Sequence, residues 1–489
     1  MPDAAARTID RTNAAPEWGA PAGLPRRQAW LRAFRRAVAA RHEEITGVVA
    51  DEIGKGVFEC FVSEVAPLLR ACRYAERAVP RLLRERRVAG GGLFSPGVTA
   101  RECRVPLGRV GIIATWNYPV GLLGVQLVQA LVCGNRVLVK PSERSPRSQA
   151  LLLEIAGAPT PDAALPAGVL EVAEATREAG ERVVALAGTH DSTPHDDRLD
   201  HIVFTGSTEV GRRIAATLAP ALATSTLELS GRDSAIVLPD ADADLAARAI
   251  WAAVRMNAGQ TCMGPRRAIV CDGAYDAFAS ALRREVENTP RLRMVDESEV
   301  AKAQAAIDAG RRDGATVVQG GGAVRSAPLA TQHGPSLQSD SRTISPTALL
   351  GCPPASDAVA GRHFGPVLAV VKARDEADAL AIHASIDQRL ATSLFTRDVA
   401  RARRDIAPRL ASTIVTINDC VVPTGHPRVT IGGLGPSGWG LSRGREGLLA
   451  MTRPVITTTT HPRFRTPTTL LEGKAAARFM AFTARVLGR

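Results

Sequence analysis

At 489 residues with 45% hydrophobic side chains, the chain is too long for one ordinary core and carries enough apolar surface for two or three domains. Eight cysteines, at positions 60, 72, 103, 133, 262, 271, 352 and 420, form no CxxC pair and no His-rich spacing; this argues against a zinc site and a secreted disulfide framework, and for a reducing cytoplasm. The net charge of +12 comes from dispersed basic residues with only 4% aromatics and no nucleic-acid-reading motif, so a solvated Arg-rich surface accounts for it and no nucleic-acid partner is expected.

Residues 1–20 lack the basic start and apolar core of a signal peptide, and no run of about 18 apolar residues predicts a membrane span. After a Pro- and Ala-rich arm, Trp30, Leu31, Phe34, Val38, Ile45 and Val49 recur at helical spacing and predict one long amphipathic helix over 27–53, ended by Gly54. A second helix is predicted over 59–83, with Val62, Val65, Leu68, Leu69 and Cys72 on one side. Gly90-Gly91-Gly92 and Ser95-Pro96-Gly97 then punctuate short Val- and Thr-containing runs, read as a β-hairpin that projects from the body and serves oligomerisation.

From residue 109 the pattern alternates: strands at 110–114, 136–140, 168–172, 182–186 and 201–204, with helices at 122–131 and 148–156. Short continuous apolar runs separated by helices indicate a parallel sheet covered on both faces, an architecture that binds nucleotides. A second α/β series begins near 228, with strands at 235–238 and 267–271 and helices at 242–257 and 274–287. Residues 310–335 read as surface loops. Strands at 367–371 and 412–418 flank a helix near 377–386, and a Gly-rich run at 431–438 leads to a strand at 455–460.

The first candidate cluster, Lys140-Pro141-Ser142-Glu143, lies where a predicted strand gives way to a loop, the position at which open α/β sheets bind ligands. Lys140 is one of only five lysines among 61 basic residues, so its choice over Arg asks for a reason. Its ammonium and the Glu143 carboxylate can bond ribose hydroxyls; a strand-end lysine is otherwise a solvated charge. Thr205-Gly206-Ser207-Thr208 lies between a predicted strand and helix, where backbone amides and a hydroxyl make either a pyrophosphate site or an ordinary turn with an N-cap. The GxGxxG fingerprint is missing there, so a dinucleotide would be held in another way.

Glu228, between Leu227 and Leu229 at a strand end, has surroundings that raise a carboxyl toward the range of a general base; a surface glutamate is the plain alternative. Asn117, in Trp116-Asn117-Tyr118-Pro119, can donate its side-chain NH2 to a developing oxyanion, or serve as a turn residue. Cys262 closes Asn257-Ala258-Gly259-Gln260-Thr261-Cys262 and precedes Met263-Gly264-Pro265. As a thiolate it is a nucleophile to which Gly259 and Gly264 leave access; a lone cysteine is otherwise a small buried apolar residue.

In this order, and with Glu228 placed 34 positions before Cys262, the elements resemble the aldehyde dehydrogenase superfamily. The likeness takes in Glu52-Ile53-Gly54-Lys55, Phe364-Gly365-Pro366-Val367 and Gly432-Gly433 with Ser437-Gly438, and runs from about residue 18 to 460. The wording of 111–119 and 443–449 is similar to the branch acting on carotenoid-derived or other long apolar aldehydes. The resemblance implies an α/β, aldehyde dehydrogenase-like fold of two Rossmann-type parallel-sheet domains plus a small β oligomerisation arm. Its implied parts are a cofactor-binding domain (1–87 and 107–228), a catalytic domain (229–436), the arm (88–106 and 452–461) and a C-terminal tail (462–489).

By the same resemblance, Cys262 attacks the aldehyde carbon, Asn117 and the Cys262 backbone NH hold the oxyanion, and Glu228 activates water to hydrolyse the thioester. The implied cofactor is NAD, with NADP as the alternative, held by Lys140, Ser142, Glu143, Thr205, Gly206, Ser207 and Phe364; no metal is implied. The implied assembly is a homodimer or homotetramer.

Three departures stand out. Arg362 occupies the position, two before the Phe of Phe-Gly-Pro, where the family usually has a glutamate that binds the nicotinamide ribose, and an arginine cannot accept those hydrogen bonds. The usual Leu-Gly-Gly-Lys after the general base is Leu229-Ser230-Gly231-Arg232, and the aromatic before the late glycines is Ile431. These motivate two alternatives: a thiol esterase or acyl-transfer relative with impaired hydride transfer, and a catalytically silent binding or assembly protein of the same fold. The presence of Cys262, Glu228, Asn117 and Lys140 weighs against the second. Beyond 461, Leu471, Ala475, Phe479, Phe482 and Val486 form an apolar stripe flanked by Lys474, Arg478, Arg485 and Arg489. Such a basic amphipathic helix suits peripheral contact of 470–489 with an anionic membrane, or docking onto the body or another subunit. The location these features imply is cytoplasmic, with membrane association through the tail.

Overall fold

The computed structural model describes residues 15–88, 97–188, 197–322, 340–461 and 473–488. A six-stranded sheet runs in the order Gly438–Trp439, Thr224–Leu229, His201–Gly206, Arg109–Ile113, Arg136–Lys140, Leu170–Val172, and only the Gly438–Trp439 edge is antiparallel. A seven-stranded sheet runs Thr316–Gln319, Thr347–Leu350, Val367–Ala373, Pro265–Cys271, Asp233–Val237, Ala391–Phe395, Ile414–Ile417, antiparallel only at its first strand. Central strands such as Arg109–Ile113 and Asp233–Val237 are buried along their whole length, and their later residues, Val110 to Ile113 and Ala235 to Val237, read as short apolar runs for that reason. All parallel strands of one sheet end on the same edge, so residues that close them are delivered to a common rim. The α/β, parallel-sheet architecture expected from the sequence is the one observed.

Arg86–Val88, Val98–Pro106 and Thr452–Thr460 form a separate antiparallel sheet, with Val98–Pro106 in the middle. Its first two strands are the expected hairpin; Gly90 to Gly92, Ser95 and Pro96 lie outside the described residues.

Four expectations are corrected. The helix expected over 27–53 is two, Leu24–Ala40 and His42–Ile53, because Arg41 leaves helical geometry (φ −99°, ψ 22°) while its guanidinium reaches Glu44 and Glu154. Apolar spacing persists across this break, so periodicity alone does not reveal it. The next helix starts at Val57–Cys60, passes through a wide π turn at Phe61–Val65 and resumes at Ala66–Leu82. The extra residue in that turn rotates Val62 outward, where it is 45% exposed, while Val65 and Leu68 stay buried.

The run at 182–186 is not a strand but part of the helix Arg177–Gly188, which buries Ala179, Val183, Val184 and Ala187 at helical spacing. Its adjacent β-branched pair, Val183 and Val184, mimics a strand's composition although the burial follows helical spacing. Residues 310–335 are not loop throughout: the helix Glu297–Arg312, capped by the Asp296 side chain, and the strand Thr316–Gln319 occupy the beginning, and 323–335 lie outside the described residues.

The last described element is the helix Lys474–Leu487. Phe479, Met480, Phe482, Val486 and Leu487 are all at least 45% exposed, so this helix does not bury its apolar face on the body. Leu471 and Arg489 of the expected stripe lie outside the described residues. Among the described residues no helix is long and apolar enough to cross a membrane.

Candidate active site

Asn117 follows the carboxyl end of the central strand Arg109–Ile113 and is 4% exposed. Its Nδ2 donates to the Gln260 carbonyl at 3.0 Å, and its own carbonyl accepts from Asn257 Nδ2 at 2.8 Å. The first sheet is thereby bonded directly to the cysteine-bearing stretch. Tyr118 Oη meets Thr261 Oγ1 at 2.6 Å, one residue before Cys262.

That stretch reaches its place through a strained turn. The helix Ala243–Arg255 ends at Met256, and Asn257, Ala258 and Gly259 then take φ values of +50°, +51° and +74°. Gly259 packs so closely on Gly365 that a Cβ would lie 2.3 Å from the Gly365 carbonyl carbon. Arg266 clamps the far side, donating to the carbonyls of Gly259 (2.9 Å) and Thr261 (2.8 Å). Cys262 then sits half-buried before the strand Pro265–Cys271.

Glu228 occupies the last turn of pleat in Thr224–Leu229, with Leu227 and Leu229 buried on either side. Burial raises its carboxyl above the ordinary carboxylate range, against a hydrogen bond from Ser442 and the charge of Arg443. Its Oε1 is buried and has no hydrogen-bond partner among the described residues. A buried carboxylate oxygen with nothing to accept from is where a proton or a water is drawn. Burial, then the negative charges of Glu228 and Asp233, push the Cys262 thiol up to about 11, while Arg443 and Arg266 pull it down. At rest Cys262 is therefore a thiol, and only loss of its proton would make it a thiolate.

The residues expected to meet a nucleotide lie on the same rim. Lys140 Nζ pairs with Glu143 Oε2 at 2.6 Å where the strand Arg136–Lys140 ends; the ammonium stem is buried and the carboxylate half-exposed. Burial pushes the Glu143 carboxyl up, but the hydrogen bond from Lys140, with its charge, holds it below its ordinary value. Ser207 is exposed and caps the helix Thr208–Leu218 by accepting from the Val210 backbone N–H. The N-cap reading of Thr205-Gly206-Ser207-Thr208 is therefore realised, and the helix N-terminus still faces the rim. Ser142 and Thr205 are turned inward: Ser142 Oγ accepts from Arg144 N, and Thr205 Oγ1 from Gln126 Nε2 at 2.9 Å. Gly206 packs over the Phe204 ring, leaving no room for a side chain. Phe364 meets Trp116 edge to face with ring centroids 5.8 Å apart, and the Arg266 guanidinium lies over its ring.

Arg362 is exposed, and after burial its charge is the next cause depressing the Arg232 guanidinium. Two of the three departures from the family pattern, Arg362 and Arg232, thus fall in one place. Sequence reasoning did not single out Arg266, Asp233, Ser442 or the role of Arg443. One signal for Arg266 was available: two adjacent arginines inside the otherwise apolar run 265–271.

The cysteine-bearing loop of one parallel sheet facing the carboxyl rim of another defines the class, an α/β enzyme with a thiol at the junction of its two sheets. The chain belongs to the aldehyde dehydrogenase family, whose pattern matches residues 3–456, and it is an NAD(P)-dependent aldehyde dehydrogenase. It is 29% identical over 435 residues to a probable coniferyl aldehyde dehydrogenase of Pseudomonas aeruginosa, covering 87% of this chain and 84% of that protein. It is 30% identical over 414 residues to a 4,4'-diapolycopene aldehyde oxidase of Methylomonas sp, covering 84% and 73%. The crystal structure of an NAD-dependent aldehyde dehydrogenase from Sinorhizobium meliloti superposes with a TM-score of 0.80 at 26% identity, covering 93% of this chain and 86% of that one.

Proposed function

We propose that the chain oxidises an apolar aldehyde to its carboxylic acid through a covalent intermediate on Cys262. The observation that carries this reading is the bond between Asn117 Nδ2 and the Gln260 carbonyl, which holds an amide donor beside the nucleophile across the junction of the sheets. Once deprotonated, the Cys262 sulfur adds to the aldehyde carbon, and the carbonyl π pair moves onto oxygen. Asn117 is placed to donate to that oxyanion. When bound, the dinucleotide supplies the acceptor for the hydride that leaves the same carbon. Glu228 takes a proton from water as the water oxygen attacks the resulting thioester; the thiolate departs and the acid is released. The buried Oε1 of Glu228 supports its part in this step.

The residues present fit a dinucleotide at its adenosine end, where the paired Lys140 and Glu143 match ribose hydroxyls and the helix start at Ser207 matches a pyrophosphate. Glu143 favours free hydroxyls over a 2′-phosphate, so NAD is the proposed cofactor and NADP the alternative. At the nicotinamide end, Arg362 and Arg232 favour a second reading, a thiol esterase with impaired hydride transfer. For substrate, a small cleft has a wall that is apolar at Ala71, Val125, Val128 and Leu448 and polar at Gln129 and Arg443. The three-stranded arm would join protomers into a homodimer or homotetramer. Eight free thiols suit a reducing cytoplasm, and the exposed tail helix suits an anionic membrane surface.

The test is NADH absorbance with purified protein, NAD and a panel of aliphatic, aromatic and terpenoid aldehydes, with Cys262→Ala as control. NADH formation that vanishes in the variant is expected. Ester hydrolysis without NADH from any aldehyde would establish the esterase reading instead, and turnover by Cys262→Ala would place the nucleophile elsewhere.

A further inference from the structure

One short stretch, 55–64, belongs to neither large sheet yet touches both halves of the candidate site. Glu59 Oε1 accepts the backbone N–H of Asn257 at 2.5 Å, at the first residue of the strained turn that leads to Cys262. Glu64, in the π turn, accepts from the backbone N–H groups of Val120 (3.1 Å) and Gly121 (2.7 Å), which begin the helix behind Asn117. Lys55 pairs with Glu64 at 2.5 Å with both side chains buried. Its ammonium also lies 3.8 Å from the centroid of the Tyr118 ring, whose hydroxyl meets Thr261.

The turn needs holding. Asn257 and Ala258 are left-handed without being glycine, a conformation that costs roughly 1–2 kcal/mol per residue. Such strain persists only where surrounding bonds over-determine it. A half-buried carboxylate that accepts a backbone N–H makes a strong, charge-assisted bond. Burial raises the Glu59 carboxyl, while that N–H and the charges of Lys55 and Arg255 favour its ionised form.

We propose that Glu59 is a positioning residue: with Lys55 and Glu64 it forms a brace that sets the Cys262 loop against the Asn117 amide. This rests on the reading of Cys262 and Asn117 given above. Glu59 acts through Asn257 and touches no reacting atom. Without its carboxylate the left-handed turn loses its anchor and relaxes, and Cys262 moves out of line with Asn117 while keeping its reactivity as a thiol.

Full-length Glu59→Leu and Glu59→Gln separate this from plain stabilisation. The assay is acylation by p-nitrophenyl acetate, which needs Cys262 and Asn117 but no dinucleotide, so failure of the dehydrogenase reading leaves the test standing. Iodoacetamide labelling of Cys262, read by mass spectrometry, reports the thiol without Asn117. In Glu59→Leu, acylation is expected to fall at least about tenfold, with labelling and KM within about threefold of wild type. Glu59→Gln still accepts the Asn257 N–H and should recover acylation to within about threefold. Wild-type acylation in Glu59→Leu, equal impairment of both variants, or labelling that falls in step with acylation overturns the proposal. If Glu59→Leu does not fold, Glu59→Ser, whose hydroxyl is too short to reach the Asn257 N–H, replaces it; slower acylation with unchanged labelling supports the brace and an unchanged acylation rate overturns it.

Discussion

Glu228 stands in antiparallel register with Gly438, the glycine that closes the late Gly-rich run. Gly438 has φ +100°, and a Cβ there would lie 1.9 Å from the Leu227 carbonyl oxygen. No other residue type fits against the strand that carries Glu228. The late glycines therefore act on the site from a distance of over 200 residues in sequence, by letting a two-residue strand lie flat on its edge. Gly438→Ala should lift that strand, at a cost of roughly 1–3 kcal/mol in backbone strain before any steric penalty. Urea denaturation would read the loss of stability. Thioester hydrolysis should slow more than acylation, because the displaced strand borders Glu228 and not Cys262. Equal loss of both steps would show that Gly438 supports the fold alone.

Glu228 bears on Cys262 through its charge and, in the mechanism proposed above, on the thioester formed there, and substitution should separate the two. Its negative charge is, after burial, the next cause of the raised thiol, which lies near 11. A neutral residue removes that push, so more thiolate is present at any given pH. Glu228→Gln should therefore be labelled by iodoacetamide faster than wild type at about pH 8. It should also stall after one turnover, releasing about one equivalent of NADH per site, because nothing activates water for the thioester. In wild type the labelling rate should climb about tenfold per pH from about pH 7 to about pH 10 without a plateau, as it must below the thiol's pKa. A plateau near neutrality would mean that the thiol is already ionised at rest.

How much of this was legible in the sequence follows from what each residue does locally. Strands such as Val137 to Val139 announce themselves because both faces are covered and every side chain is apolar. Cys262, Asn117 and Glu228 were legible through motif order. The residues that hold them were not. Lys55, Glu59 and Glu64 look like solvated helix charges until a π turn and the neighbouring helix bury Lys55 and Glu64 and half-bury Glu59, and sequence periodicity carries no record of such a turn. Likewise 182–186 reads as a strand because Val183 and Val184 are adjacent, although both pack inside a helix. Ser142 and Thr205 sit in the right loops yet spend their hydroxyls internally, which only side-chain direction could decide.

Arg362 is exposed, and its charge bears on Arg232. A glutamate there would both relieve that repulsion and restore an acceptor for ribose hydroxyls. Arg362→Glu should tighten NAD binding by roughly ten- to a hundredfold, the worth of a hydrogen bond to a charged group at 1.5–3 kcal/mol. Calorimetric titration with NAD measures this directly. Unchanged or weaker binding would show that the arginine has a contact of its own with the cofactor.

The tail helix Lys474–Leu487 exposes Phe479, Met480, Phe482, Val486 and Leu487, and it contains Lys474, Arg478 and Arg485 without one acidic residue. An apolar face with purely basic flanks matches an anionic lipid surface, where each basic residue contributes about 1 kcal/mol and buried apolar area adds to it. The chain should co-sediment with phosphatidylglycerol vesicles and not with phosphatidylcholine vesicles. High salt should weaken the association, because the Debye length shrinks to about 3 Å at about 1 M. Removal of residues 462–489 should abolish it without loss of aldehyde oxidation, and Phe479→Ala with Phe482→Ala should weaken it while the charge is unchanged. Equal partition of the full and shortened chains would remove the membrane reading, and a shortened chain that changes oligomeric state instead would assign the helix to contact between subunits.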